Sequence, residues 1–262
     1  AVSTNGIRSH GLVVQSIGGG GGVVITDQDA TVTLETSGTR SGNGGEVDVV
    51  SGSVLTGGSD SIGLLAQSIG GGGGVVNREL VGSSFGDGSA DDVAVMVAGD
   101  VVTAGETSIG VYAQSEARSA VGDIDITIQG HVYVSGERAL GVKGDTSSLE
   151  SEVGSIAIAV SGSVEAAGDV SQGIDGFVAS SQQVTKTPQI SIGGSLIASG
   201  ERALGARAGA AAEVITQDSF FGVDGSIAAT GLQARGLSLT FDGRVVRGDL
   251  LLQVGQSILA SG

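Results

Sequence analysis

The sequence predicts an all-β chain, a right-handed parallel β-helix of about seven coils with three short strands in each. Three observations predict it. The ten residues QSIGGGGGVV occur at Gln15 to Val24 and again at Gln67 to Val76, so the chain is built by repetition. Seven copies of a small-x-Gly-(Ile/Leu/Val) phrase place central glycines at Gly11, Gly63, Gly110, Gly141, Gly173, Gly205 and Gly236, spaced 52, 47, 31, 32, 32 and 31 residues apart. Apolar residues alternate with polar or small ones in short runs, the signature of a strand with one buried face.

Within each unit the elements follow in a fixed order. An alternating run comes first, as in Val93 to Val97, Ile124 to Ile128 and Ile156 to Val160. Next comes Gly-x-(Val/Ile/Leu)-x-small-x-Gly, in GDVVTAG, GHVYVSG, GSVEAAG, GSLIASG and GSIAATG. Its inward pairs are expected at Val132/Val134, Val164/Ala166, Leu196/Ala198, Ile227/Ala229 and Ile258/Ala260. The small-x-Gly phrase supplies the third strand. Ile126, Ile158, Ile192 and Val223 are expected to stack in one inward column. Each coil leaves both backbone edges open, so the next must cover it at a rise of ~4.8 Å, and seven coils make a rod roughly 30 to 40 Å long. Glycine at the corners permits positive φ and tight bends.

The chain is expected to be one β-helix segment over 1–262. Residues 1–98 form long-loop pentaglycine coils and residues 99–262 regular coils of 31 or 32 residues. The extra residues of the first two units are expected in outward loops. Forty-nine glycines, 3% aromatics, no tryptophan and 40% apolar residues suit a narrow core of stacked Val, Ile, Leu and Ala. Glycine without a three-residue period excludes collagen, and the β-branched runs argue against the competing reading, a disordered glycine-rich linker.

Twelve basic and twenty-eight acidic residues give a net charge of −16, which disfavours nucleic acid and anionic membranes as partners. No apolar run is long enough for a membrane-spanning helix. The lack of cysteine suits passage through an oxidising periplasm. Both ends fall inside a repeat, so the chain is expected to be part of a longer protein.

The stretch Ser41 to Val76, SGNGGEVDVVSGSVLTGGSDSIGLLAQSIGGGGGVV, resembles the glycine-rich repeats in passenger regions of large autotransporters of the type V secretion systems. The match is full over residues 1–76. Residues 77–262 keep the strands and glycines but lose the pentaglycine. The resemblance implies a cell-surface or extracellular stalk, exported through a C-terminal outer-membrane barrel of the same chain. Its expected partners are other surface proteins, host or neighbouring-cell receptors or glycans, and further copies of itself.

Candidate chemistry is sparse. Pentaglycine 18–22 and 70–74 lacks the third glycine of a dinucleotide loop and the Lys of a phosphate loop, so it is read as a corner. Gly82 to Gly86, GSSFG, matches a nucleophile elbow around Ser84, but no helix is expected after it and no His lies near it in sequence. Asp87, Asp91 and Asp92 form a weak calcium candidate, with solvated loop charge as the preferred reading. Glu137-Arg138 and Glu201-Arg202 recur in identical SGERALG corners and are expected to form local ion pairs.

One outward column is expected to run Val13, Leu65, Tyr112, Lys143, Asp175, Arg207, Ser238. Lys143, Asp175 and Arg207 would stack as a mixed-charge ladder, read as surface ion pairs rather than the acids of a polysaccharide-cleaving enzyme. Val13, Leu65 and Tyr112 would form an apolar strip that is either a contact surface or buried beneath the glycine-rich loops. No catalytic residue, cofactor or firm metal ligand is expected. The function expected is a structural or adhesive surface segment without catalysis of its own, with a polysaccharide lyase or hydrolase as the alternative.

Overall fold

The computed structural model is a parallel β-helix. It describes residues 1–262 except 20, 25–41, 77–78, 82–85, 151–152 and 185, and gives backbone only for 21–24, 74–76 and 79–81. Three sheets run the length of the rod. The first has eight strands, from Val2–Asn5 to Ser257–Ser261. The second stacks Leu12–Ile17 through Arg235–Val246, and the third has seven strands, from Val47–Ser51 to Leu250–Val254. Every strand pair in these three sheets is parallel, and no described residue is helical. One coil reads Ile124–Ile128 in the third sheet, His131–Ser135 in the first and Leu140–Ser148 in the second.

The sequence landmarks correspond to physical necessities of stacking. A Cβ on Gly110 would lie 2.6 Å from the carbonyl oxygen of Gly141 and 2.6 Å from a methyl of Val132. Gly63, Gly141, Gly173 and Gly205 meet the carbonyl of the next rung's glycine in the same way, at 2.3 to 2.6 Å. The central glycines are therefore required by packing, not by φ. Positive φ belongs to the other landmark, at its closing glycines Gly105, Gly136, Gly200 and Gly231, with φ of 136° to 150°. There an L side chain would be strained.

The inward pairs predicted for the first sheet are buried through Ile227/Ala229, whereas Ile258 is half-buried and Ala260 exposed on the last rung. In the third sheet the column expected to run Ile126, Ile158, Ile192, Val223 is two columns. Ile126 pairs with Ile158, and Ile158 with Ile190. Ile192 stacks between Val160 and Val223. All four side chains are buried. The mismatch arises because Ile126 and Ile158 lie four residues before their landmark glycine while Ile192 and Val223 lie two before it. A period-2 strand puts both positions on the same face.

The core has a size rule that crosses sheets. Gly144 and Gly176 of the second sheet face Ile126, Ile156, Ile158 and Ile190 of the third, so glycine on one wall admits isoleucine on the other. The repeated Gln-Ser block bends at Gly19 and Gly71, with φ of 78° and 79°. Gly21–Val24 then pairs in parallel with Gly73–Val76, which pairs antiparallel with Glu79–Val81, in a separate three-stranded sheet. This agrees with the pentaglycine as a corner on neighbouring coils. Most of the remaining insert residues lie outside those described.

Candidate functional site

The outward column of the second sheet is assembled in the register read from the sequence: Val13, Leu65, Tyr112, Lys143, Asp175, Arg207 and Ser238 are successive Cα partners. Its apolar end is not an exposed strip. Leu65 is 0% and Tyr112 7% exposed, and only Val13, at 37%, is open. Leu65 and Tyr112 instead pack with Ile62 and Ile109 in a small cluster outside the main core. Of the two readings of this strip, burial describes Leu65 and Tyr112.

Lys143 holds the junction between the apolar and charged halves. Its Nζ sits 4.5 Å from the centre of the Tyr112 ring and 3.1 Å from an Asp145 carboxylate oxygen. Burial first, then the neighbouring Asp145 and Glu116 carboxylates, pushes the Tyr112 phenol well above its ordinary value. It therefore stays protonated near neutral pH and cannot serve as a base there. One rung on, Arg207 donates through Nε and Nη2 to the two oxygens of Asp175, both at 2.7 Å. The Asp175 side chain is 7% exposed and Arg207 stacks 5.4 Å from the Phe177 ring. A carboxylate clamped at both oxygens by a guanidinium is committed to structure.

A second use of the repeat is a glutamine ladder. Gln15 Nε2 donates to Gln67 Oε1, and Gln67 Nε2 to Gln114 Oε1, each at 2.5 Å. Gln114 in turn donates to Glu116 at 2.7 Å. The serines beside them close the next corner: Ser16 Oγ accepts from the Gly45 amide, and Ser68 Oγ donates to the Gly45 carbonyl. The Gln-Ser dipeptide thus carries lateral hydrogen bonds that hold rungs together.

The three aspartates of the calcium candidate are used separately. Asp91 Oδ1 accepts from the Asp92 amide, Asp92 Oδ1 accepts from the Asp123 amide, and Asp87 lies 3.8 Å from Arg118. Among the described residues no three His, Cys, Asp or Glu side chains come together as metal ligands. Ser84 lies outside the described residues. Glu137, Arg138, Glu201 and Arg202 are exposed as expected, but no ion pair within 4 Å joins either pair among the described residues.

Two features escaped the sequence reading. His131 Nδ1 makes a close hydrogen-bonding contact with Ser163 Oγ, one rung away in the first sheet, with Asp100 on the other side of His131 in register. The signal was available, since Asp100, His131 and Ser163 each follow the first glycine of their landmark. The Ser161, Gly162 and Ser163 amides donate to Ile128, Ile128 and Gly130 carbonyls, so they are not free to stabilise an oxyanion. The second feature is a pair of grooves along the rod. One, of about 520 Å³, follows the far end of the second sheet over Ser148, Ser180 and Ala212 between the ion pairs Arg118–Glu150 and Arg244–Glu213. The other, of about 490 Å³, lies at the corner between the first and second sheets and contains Arg138, Arg202 and Arg235. No family model, curated protein or solved structure matches the chain.

Proposed function

We propose that this chain is a structural and adhesive segment of a cell-surface passenger of the autotransporter kind, exported through an outer-membrane barrel, without catalysis of its own. The observation that carries the reading is how thoroughly one rung spends its polar groups on the next. Backbone amides, the Gln15–Gln67–Gln114 ladder and the Arg207–Asp175 clamp all run along the rod axis. Such a stack is rigid and extended, and its outer faces can present contacts to receptors, glycans or another copy. The GNGG…QSIGGGGG phrase of Ser41 to Val76, whose QSIGGGGG part also stands at Gln15, supports the passenger assignment.

Displaying residues 1–262 on a bacterial outer membrane by fusion to an unrelated barrel tests the proposal. Cells carrying the rod should adhere to surfaces or to one another more than cells carrying the barrel alone. Equal adherence, with the rod shown to be outside by protease accessibility, overturns it. The alternative is an enzyme acting on polysaccharide, for which the Asp100, His131, Ser163 alignment offers a serine suited to glycan esters rather than to glycosidic bonds. If hydrolysis of glycan esters by the purified chain disappears in Ser163→Ala, that alternative replaces the stalk.

A further inference from the structure

In a chain of net charge −16, six of the ten described lysines and arginines are neutralised locally. Among the described residues Arg8, Arg118, Lys143, Lys186, Arg207 and Arg244 each reach a carboxylate. Arg138, Arg202, Arg235 and Arg247 do not. Three of these four line the same groove of about 490 Å³. The repeated SGERALG motif therefore places unpaired guanidinium groups, two rungs apart, over one concave surface.

We propose that this groove binds an acidic oligosaccharide with a carboxylate on alternate sugars, held by Arg138 and Arg202. The column that faces the groove runs Thr107, Arg138, Val170, Arg202, Gln233, so over its first four rungs a cation alternates with a neutral residue, and Arg235 adds a further cation on the Gln233 rung. The two arginines are separated by two rungs, roughly 10 Å. Each rung is close to the length of one pyranose unit, so charged and neutral sugars fall on charged and neutral rungs. The floor is half-buried Leu140, Val170 and Leu204, which suits the apolar faces of sugar rings, while Gln172 and Gln233 offer partners to hydroxyls. Arginine grips a carboxylate through two parallel hydrogen bonds.

The same surroundings disfavour other polyanions. Glu106, Glu137, Asp169 and Glu201, each one residue before the facing column, are exposed. Glu137 and Glu201 share their rungs with Arg138 and Arg202, but the rungs of Glu106 and Asp169 carry no arginine, so a strand with a charge on every unit would meet an uncompensated carboxylate there. An extended peptide would need backbone partners, but the amides of Val170, Gln172, Arg202, Leu204 and Arg235 are all committed to carbonyls of the neighbouring rung. A glycan requires only side-chain partners. This assignment deepens the adhesive reading and rests on it for where the ligand is met, but binding is a property of the purified rod.

The probe is a hexasaccharide of alternating glucuronate and N-acetylhexosamine, titrated calorimetrically into the 262-residue chain. Binding should weaken with salt and fall about tenfold or more in the Arg138→Gln, Arg202→Gln double variant. It should be unchanged in Arg247→Gln, whose unpaired arginine lies outside the groove. Melting curves establish that each variant is folded; if the double variant is not, the carboxyl-reduced hexasaccharide makes the same comparison on the parent and should bind about tenfold less. No binding of the alternating glycan, equal binding by the double variant or by the reduced sugar, or tighter binding of polygalacturonate, poly-glutamate or single-stranded DNA each overturns the proposal. Cell adherence that persists in the double variant removes the groove from adhesion and leaves the stalk standing. Glycan binding without adherence does the reverse.

Discussion

At the residue scale, two buried hydroxyls stand out. Thr56 and Thr103 are adjacent inward partners in the first sheet, both fully buried, and neither Oγ1 has a hydrogen-bond partner. The next rung in the column carries Val134. A buried hydroxyl without a partner costs its full desolvation, and valine has nearly the same shape. Thr103→Val should stabilise the chain by about 1 kcal/mol. In a thermal melt that is a rise of about 2–4 °C if unfolding is cooperative. An unchanged or lower midpoint would mean that the hydroxyl has a partner after all. The glycines teach the complementary lesson. Gly110 and Gly141 look like flexible punctuation but are positions where a carbonyl and a methyl already fill the space a side chain would need.

At the element scale, ion pairs differ by burial. Asp175 is almost enclosed, and its guanidinium partner Arg207 is 40% exposed. Arg244 and Glu213 are 81% and 56% exposed. Removing a cation from a buried carboxylate leaves an uncompensated charge, whereas an exposed pair is replaced by water. Arg207→Met should cost about 1–3 kcal/mol and Arg244→Met ~0–1 kcal/mol. Denaturant titration of both variants decides the order, and equal losses would refute it.

The corner leading into the third sheet has its own device. Asp92, Asp123 and Asp218 each accept the amide one rung further along. Burial alone would push the Asp123 carboxyl up, but hydrogen bonds from Lys186 and Ser155 and the Lys186 charge hold it below the ordinary carboxylate range. A carboxylate depressed by folding adds stability above its unfolded value of about 4, and that stability is lost as pH falls through the folded value. In Lys186→Met the Asp123 titration, followed by NMR, should move upward. The difference in stability from the parent should be present at neutral pH and shrink below about pH 4. A titration that stays in place would show that the backbone donor alone sets it.

At the scale of the whole molecule, order should be graded along the rod. The middle rungs bury Ile126, Ile158 and Ile190 completely. The last described rung leaves Leu251, Leu252 and Val254 at 45% to 56% exposure. Each rung packs mainly on its neighbours, so local opening is easiest where one neighbour is missing. Amide exchange in this 262-residue chain should be slowest in Ile124–Ile128 and Ile156–Val160 and fastest in Leu250–Val254. Uniform exchange would mean that the rod opens as a single unit.

The sequence by itself determined the period, the order of three strands in each coil, the inward pairs of the first sheet and the full register of the Val13 to Ser238 column. A stack of identical rungs converts spacing along the chain directly into neighbours in space, which is why these were legible. Tertiary structure decided what repetition cannot encode. Both odd positions of a strand face inward, so the Ile126 and Ile192 columns separated only once rungs were paired. Burial of Leu65 and Tyr112 depends on what packs over the outer face, and nothing in a period-2 pattern specifies that. The SGERALG arginines read as partners of their adjacent glutamates; among the described residues neither forms that pair, and their meeting in one groove with Arg235 comes from the coil cross-section, which no single repeat contains.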